Sequence, residues 1–196
     1  MRRLLDVTVA ALGIGVLWPL AVVITLLIRL DSPGPILYRQ TRTGYQGRPF
    51  TLYKYRTMVV GSDKEKPYPD TIDDFRTYRF HSDAPDPRVT RVGRILRRTT
   101  LDELPQLLNV LKGDMRLVGP RPELPGIVAQ YPPEYHERHN VKPGMTGLAA
   151  VNGRSGLTYH EAMMHDLEYV HNPSFRRDVQ ILMRTVGLVL SGKGAR

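Results

Sequence analysis

Apolar residues are most concentrated near the start of the chain. Residues 7–28 contain no charged side chain and are long enough to cross the ~30 Å hydrocarbon core of a bilayer. Hydropathy alone therefore predicts a single transmembrane helix. Three features favour another arrangement: Pro19 lies near the middle, Trp18 lies beside it, and basic residues occupy both flanks. We predict a helix-break-helix hairpin that enters and leaves by one leaflet, because arms of about a dozen residues are too short to cross alone.

Alternating apolar and basic residues follow this segment. Residues 36–40 and 49–55 alternate around a turn at 43–48, which predicts a β-hairpin. The basic side chains of the hairpin, which include Arg42, Lys54 and Arg56, either line a phosphate site or coat an exposed face. Taken alone, the pattern favours the exposed face.

From residue 89 onward, apolar positions recur at helical spacing. The helical pattern continues to residue 112, and further helices are predicted at residues 127–138, 158–170 and 174–191. The last of these carries an apolar stripe opposite basic residues, which suits a membrane surface and a core-facing helix about equally. The segments with no regular pattern are a charged, proline-rich loop at 61–88 with one helical turn near 71–78, a stiff connector at 118–126, and a glycine-rich stretch at 142–154.

Length and composition limit the functional classes. The 196 residues can bury one sizeable core, so one domain is expected. Twenty-eight Lys and Arg residues against 19 Asp and Glu suit an anionic partner, which could be nucleic acid, a phospholipid surface or a phosphorylated substrate. The absence of cysteine excludes disulfides and Cys-based zinc sites. No common nucleotide-binding loop or esterase motif occurs, and His160 and His165 have the wrong spacing for the HExxH zinc motif.

Two adjacent carboxylates, Asp102 and Glu103, stand out in this basic chain. One interpretation is a capping box in which Glu103 bonds back to Thr100. Pro105 opposes it, because a proline at the fifth helical position loses a hydrogen bond and clashes with the preceding turn. Pro105 is better placed as the first helical residue. The carboxylates would then lie ahead of the helix, with their side chains available for chemistry.

A phosphorylated substrate would explain carboxylates placed beside arginines. Two unit charges about 4 Å apart repel by ~4 kcal/mol at an effective dielectric of ~20, so a pyrophosphate approaches Asp102 only if cations intervene. Arg97, other basic side chains and a carboxylate-bound Mg²⁺ could supply them. A carboxylate so placed could attack phosphorus and form an acyl phosphate.

Several stretches spread over nearly the whole chain carry a resemblance to a known family. They are Asp6, the Pro19-interrupted apolar segment, RQTRTG (39–44), YKYRTM (53–58), the run 88–122 that contains LDELPQLLNVLKGDM, and KPGMTGLAAVNGR (142–154). In these stretches the chain resembles the bacterial sugar transferases that initiate surface glycan assembly, the monotopic polyprenyl-phosphate phosphoglycosyltransferases.

The resemblance implies transfer of a sugar-1-phosphate from a UDP-sugar to a polyprenyl phosphate such as undecaprenyl phosphate, with release of UMP. Asp102 would be the nucleophile on the sugar-bearing phosphorus. Glu103 would hold the metal or accept a proton from the lipid phosphate. Mg²⁺, with the two carboxylates as its ligands, would neutralise the diphosphate. The candidate phosphate-binding residues are Arg97, Arg121, Lys54, Arg56 and Arg42.

The implied fold is α/β and mainly helical. Residues 1–30 would form the re-entrant membrane hairpin, broken at Trp18 and Pro19. Residues 31–196 would form a membrane-associated helical catalytic domain with a small β-hairpin, on the cytoplasmic face of the bacterial inner membrane. The expected partners are the UDP-sugar, the polyprenyl phosphate and membrane lipid, without nucleic acid, and homo-oligomers are left open.

Two rival functions use some of the same features. A non-catalytic, membrane-tethered basic module that binds anionic lipid or nucleic acid would explain the charge and the apolar segment, but not the LDELP run. A glycosidase would use paired carboxylates, but these need a separation of about 5–10 Å on opposite sides of a sugar, which adjacent residues supply poorly.

Overall fold

The N-terminal apolar segment forms a single helix in the computed structural model of the protein, which describes residues 2–62, 69, 71–79, 86–153 and 156–191. Helix α1 covers Arg2–Asp31 and is long and apolar enough to cross a membrane. Many of its large apolar side chains are exposed, among them Leu12, Val16, Trp18 and Leu26. Helix α1 therefore presents an apolar surface to its surroundings.

Both halves of α1 pack against the rest of the protein. In the first half, Ala10 and Ile14 belong to a core cluster that includes side chains from the C-terminal part of the chain. In the second half, Ile24 and Ile28 are buried in a different cluster with residues that follow α1. The helix therefore lies along the domain instead of leading away from it.

The structure does not show the break predicted at Pro19, because Pro19 lies inside α1 and the helix continues to Asp31. A proline removes one hydrogen bond and crowds the preceding turn, but neighbouring contacts can compensate for this. Such contacts exist on both sides of Pro19: Ile14 packs against one core cluster and Leu20 against another.

The predicted β-hairpin is confirmed, with a first strand that begins and ends later than expected. Strands β1 (Leu37–Thr43) and β2 (Pro49–Tyr55) pair antiparallel, and a 3₁₀ turn at Tyr45–Gly47 joins them. Leu52 and Tyr55 are buried, so β2 attaches the hairpin to the core.

The acidic pair lies between two helices. Helix α2 covers Arg91–Thr99, a 3₁₀ turn covers Leu101–Glu103, and α3 covers Gln106–Lys112. Pro105 immediately precedes α3, as its preference for helix starts predicts. Helix α3 contacts both α1 and β2, so the turn before it is fixed relative to the hairpin.

The sequence patterns do not predict a short parallel ladder that the structure contains. Strand β3 (Arg116–Val118) pairs with β4 (Gly144–Thr146). Strand β3 ends where the expected connector begins, and β4 lies within the stretch expected to be irregular. The two backbones approach closely, since a Cβ added to Gly144 would lie 2.1 Å from the amide nitrogen of Gly119. Strands of three residues are too short to show the alternation that identifies strands in a sequence.

The remaining elements are helical. They are α4 (Pro125–Val128), a 3₁₀ segment at Pro133–Asn140, α5 (Leu148–Val151), α6 (Tyr159–His171) and α7 (Phe175–Ser191). The two C-terminal helices are confirmed. The single helix expected at 127–138 is divided, because Pro132 and Pro133 cannot continue α4. Nearly half of the predicted loop at 61–88 (residues 63–68, 70 and 80–85) and Arg154 lie outside the described residues.

The apolar stripe of α7 is divided between core and surface. Of its members, Leu182 is half-buried, while Phe175, Val179, Val186 and Val189 are exposed; the buried Ile181 lies beside the stripe. The stripe therefore faces the core only in part.

Candidate active site

A sharp turn presents the acidic pair. Thr100 ends α2 in the left-handed conformation, with φ of +61°, which is uncommon for a residue other than glycine. Asp102 and Glu103 follow in the 3₁₀ turn, and the side chain of Thr100 makes no cap hydrogen bond there. The capping-box interpretation is therefore wrong.

Two cations hold Glu103. Its Oε1 accepts hydrogen bonds from Lys54 Nζ at 2.7 Å and Arg121 Nη2 at 3.0 Å. Burial alone would raise the pKa of Glu103, but the charges of Arg121 and Lys54 outweigh burial and hold that pKa far below its usual range. Glu103 is therefore ionised, and its charge is offset by neighbours.

Asp102, unlike Glu103, is not hydrogen-bonded to the neighbouring cations. None of the described residues donates a hydrogen bond to its half-buried carboxylate. Burial raises the pKa of Asp102 above its ordinary value, and the adjacent charge of Glu103 adds to this effect. Lys54, Arg121 and Arg97 oppose the shift without reversing it. The carboxylate therefore lies within the influence of several cations and is bonded to none of them.

Arg97 is oriented by the residues that follow β2. Its Nε donates to Thr57 Oγ1 at 3.0 Å. Helix α2 approaches Thr57 closely because residue 93 is glycine: a Cβ there would fall 2.1 Å from Thr57 O. The guanidinium of Arg97 is thus fixed where its charge lowers the pKa of Asp102.

Arg121 extends outward from the loop after β3. Its side chain is 62% exposed even though it is bonded to Glu103. The charge of Glu103 raises the pKa of Arg121. Most of this side chain is therefore accessible to a substrate.

Two of the predicted phosphate-binding residues, Arg56 and Arg42, have protein partners. Arg56 is buried, and its guanidinium donates to the carbonyl oxygens of Ser32 at 2.8 Å and Pro33 at 2.7 Å, just after α1. Arg42 is half-buried and pairs with Glu123 at 3.1 Å. Arg56 and Arg42 therefore direct these donors at protein groups. Lys54 and Arg121 bind Glu103, and Arg97 lowers the pKa of Asp102.

A buried arginine behind Arg121 was missed at the sequence level. Arg138 donates to Asp166 Oδ2 at 2.5 Å, Tyr131 OH at 2.6 Å and Arg121 O at 2.7 Å. No sequence signal marks it, because it lies in the polar stretch PEYHERHN, which has no apolar periodicity.

The site offers a metal ion few protein ligands. Among the described residues, no group of three or more His, Asp or Glu side chains could hold a metal. The carboxylate of Asp102 is an oxygen ligand of the kind that Mg²⁺ prefers. Glu103 is less suitable, because its Oε1 already lies between two cations that would repel a metal. The site thus fits a metal that takes one protein carboxylate and completes its coordination with substrate oxygens.

Proteins of one family are similar to this chain over nearly its whole length. A family model described as bacterial sugar transferase matches residues 1–192. The UDP-glucose:undecaprenyl-phosphate glucose-1-phosphate transferase of Caulobacter vibrioides is 45% identical, over 99% of this chain and 71% of that protein. The exopolysaccharide production protein PSS of Rhizobium leguminosarum is 41% identical, over 99% of this chain and 98% of that protein. The UDP-N-acetylgalactosamine-undecaprenyl-phosphate N-acetylgalactosaminephosphotransferase of Aeromonas hydrophila is 38% identical, over 100% of this chain and 45% of that protein.

Proposed function

The chain belongs to the bacterial sugar transferase family, and on that premise we propose that it transfers a sugar-1-phosphate from a UDP-sugar to undecaprenyl phosphate, with release of UMP. The names of two relatives state such a reaction, one with glucose and one with N-acetylgalactosamine. Since the sugar differs between relatives, the donor is proposed as a class, the UDP-sugars.

The observation that supports the chemistry best is the carboxylate of Asp102, which has no hydrogen-bond donor among the described residues. Lys54, Arg121 and Arg97 all lower its pKa, against the effect of burial, without donating a hydrogen bond to it. A diphosphate placed among these cations would have its charge offset while its phosphorus lies beside the carboxylate. That arrangement suits nucleophilic attack on phosphorus.

The proposed reaction has two steps. A carboxylate oxygen of Asp102 attacks the sugar-bearing phosphorus, and the bond from this phosphorus to the bridging oxygen breaks, so that UMP leaves with the electron pair. The resulting acyl phosphate joins Asp102 to the phosphosugar. A phosphate oxygen of the lipid then attacks the same phosphorus, which regenerates the carboxylate and forms a diphosphate-linked sugar lipid.

The proposed role of Glu103 is to hold the side chains of Lys54 and Arg121 in place. Its low pKa makes it a poor proton acceptor. Its Oε1 is occupied by Lys54 and Arg121, so it is also a poor metal ligand. We therefore assign Glu103 to holding these two cations beside Asp102.

Mg²⁺ is the proposed cofactor, held by Asp102 together with substrate oxygens. When bound, it would neutralise part of the diphosphate charge and stabilise the leaving UMP. Arg97 and Arg121 would offset the remaining charge.

We further propose that α1 lies in one leaflet, with the rest of the protein on the cytoplasmic face. Both halves of α1 pack against the same domain. A helix that crossed the bilayer would carry part of this polar domain into the hydrocarbon core, where unpaired backbone groups are costly. In one leaflet, the exposed apolar side chains, such as Val16 and Trp18, would meet lipid.

Cysteine labelling tests this topology in a chain that has no native cysteine. Leu4 and Pro35 are exposed positions near the two ends of α1. With a cysteine at either position, we expect no labelling by an impermeant thiol reagent outside intact cells, and labelling of both after permeabilisation. Labelling of one position alone from outside would establish a crossing.

Release of UMP tests the reaction. The purified protein is incubated with a panel of UDP-sugars, undecaprenyl phosphate and Mg²⁺, and we expect UMP and a sugar-linked lipid with at least one donor. The donor alone should leave a phosphosugar adduct on Asp102, detectable by mass spectrometry. A non-catalytic basic module would produce neither UMP nor an adduct. Full activity in excess EDTA would rule out the proposed role of Mg²⁺.

A further inference from the structure

The loop of residues 120–123, which presents Arg121, is held by its carbonyl groups. Prolines at 120 and 122 leave it with few amide donors of its own. Each of its four carbonyl oxygens accepts a hydrogen bond from another part of the chain. The donors, in order along the loop, are Gly144 N (2.9 Å), Arg138 Nη2 (2.7 Å), Arg42 Nη1 (3.3 Å) and Thr43 N (2.8 Å). The conformation of the loop therefore depends on donors outside it.

Arg138 differs from the other donors because it binds the carbonyl of Arg121 itself. It is only 5% exposed, and the Nη2 that binds this carbonyl also binds Asp166 on α6. Its Nη1 donates to the hydroxyl of Tyr131. A guanidinium fixed in this way by buried partners gives rigid support to one backbone atom.

The position of that atom affects the site directly. The carbonyl belongs to the residue whose guanidinium reaches Glu103 at 3.0 Å, beside Asp102. Movement of the Arg121 backbone would therefore move its charged group relative to the acidic pair. A misplacement of about 1 Å in a positioned group can cost about 100-fold in rate.

We propose that Arg138 is a positioning residue for the transfer reaction, which fixes the backbone of Arg121 so that its guanidinium meets the substrate phosphates beside Asp102. The inference rests on the proposed function, since a displaced Arg121 matters only if this arginine acts on the substrate. Arg138 acts through Arg121, because it is buried behind the loop.

A double-mutant cycle separates positioning from a general effect on folding. Arg138 is removed together with its partner in the pair variant Arg138→Met/Asp166→Leu, because a lone buried carboxylate would destabilise the fold by itself. The kcat/KM for UMP release is measured for the wild type, Arg121→Ala, the pair variant and the protein with all three changes. We expect the pair variant to lose about 10- to 100-fold, with no further loss in the Arg121→Ala background.

Arg177→Met is the matched control. Arg177 also donates to main-chain carbonyls, those of Glu168 and Asn172, and none of its hydrogen bonds in the described part of the chain reaches residues 120–123. We expect it to keep wild-type kcat/KM. The second test variant is Arg138→Lys, which keeps a cation beside Asp166 but lacks the forked guanidinium. Arg138→Lys should also lower kcat/KM, and this loss should disappear in the Arg121→Ala background.

Several outcomes would overturn the inference. One is an equal loss from the pair variant with and without the Arg121 side chain, and another is wild-type activity in the pair variant. If neither the pair variant nor Arg138→Lys folds, Arg138 serves the fold as a whole. If the wild type releases no UMP from any donor, the proposed function fails and this inference fails with it. If the wild type is active but the losses from the pair variant and from Arg121→Ala are additive, the inference is wrong and the proposed function stands.

Discussion

Two groups of charged residues in this protein are arranged in opposite ways. Where α1 meets the C-terminal helices, Asp6 and Asp178 are buried and both bind Arg116, at 2.8 and 3.1 Å. Asp6 also accepts a hydrogen bond from the amide of Leu117 at 3.2 Å. At the turn between α2 and α3, by contrast, Asp102 lies among cations without a hydrogen-bond donor from the described residues.

The difference indicates which charges maintain the fold and which are left for chemistry. A buried carboxylate with an ionic partner and an amide donor cannot lose a partner without leaving an uncompensated group. Asp102 is incompletely compensated, and burial therefore raises its pKa. A carboxylate in that state can gain a new partner from a substrate. Complete pairing thus marks the structural carboxylates, and incomplete pairing marks the candidate nucleophile.

The largest expected effect comes from Asp102→Asn. Turnover should fall by roughly 10⁴-fold or more, because the atom that bonds to phosphorus is replaced. Folding raises the pKa of Asp102, so its ionisation costs stability as the pH rises through the folded value. The asparagine side chain of the variant does not ionise, so this loss of stability is absent. Its thermal midpoint at neutral pH should therefore equal or exceed that of the wild type. Near-normal UMP release, after mass spectrometry has excluded deamidation to Asp, would show that Asp102 is not the nucleophile.

Asp6→Asn should show the reverse pattern. The amide can keep one contact with Leu117, but Arg116 loses a buried ionic partner. We expect a loss of about 3 kcal/mol in the free energy of unfolding, or roughly 6–12 °C in the thermal midpoint. Activity per folded molecule should be retained below the unfolding temperature. An unchanged midpoint together with lost activity would reverse the roles assigned to the two groups.

Glu103→Gln tests the boundary between the groups, because Glu103 is paired with two cations and yet adjacent to the proposed nucleophile. The variant holds Lys54 and Arg121 less firmly, and kcat/KM should fall by about 10- to 100-fold. Glu103 raises the pKa of Asp102, and its removal leaves both cations to act more strongly on Asp102. The pKa of Asp102 should therefore fall, and the acid limb of the pH profile should move to lower pH. An acid limb that stays in place or moves upward would contradict this account.

The smallest expected effect comes from Arg56→Met. The variant loses the hydrogen bonds to Ser32 and Pro33, and we expect a loss of about 1–2 kcal/mol in the free energy of unfolding. The KM for the UDP-sugar should not change, because the guanidinium is directed at carbonyl groups. The matched variant Lys54→Met, on the same hairpin, should raise that KM. A higher KM in Arg56→Met would show that Arg56 contributes to binding the phosphates of the UDP-sugar.

Much of the fold could be predicted from residues close together in the chain. The alternation in residues 36–55 predicts the hairpin, and helical spacing predicts α6 and α7. Pro105 correctly predicts that the acidic pair precedes α3. The same reasoning predicts a break at Pro19 that the structure does not show, because the intrinsic cost of a proline does not include the packing that holds the helix on both sides.

The candidate site, like the fold, could be predicted from the sequence only in part. Asp102 and Glu103 can be found from the sequence, because their adjacency and the proline after them are local features. Whether a given basic residue reaches them is not local. Lys54 and Arg121 meet Glu103 from 49 and 18 positions away, whereas Arg56 turns to carbonyls at the end of α1.

The sequence by itself therefore determined the helix and strand patterns, the apolar surface of α1 and the identity of the acidic pair. All of these follow from the preferences of neighbouring residues. Only the tertiary structure decided which arginines are bound by carboxylates, which by carbonyls, and which remain accessible. It also brought Arg138 behind Arg121, although no periodicity marks that residue. The physical reason is that a charged group takes its partner from whatever the packing of distant elements places beside it, and no local pattern encodes that choice.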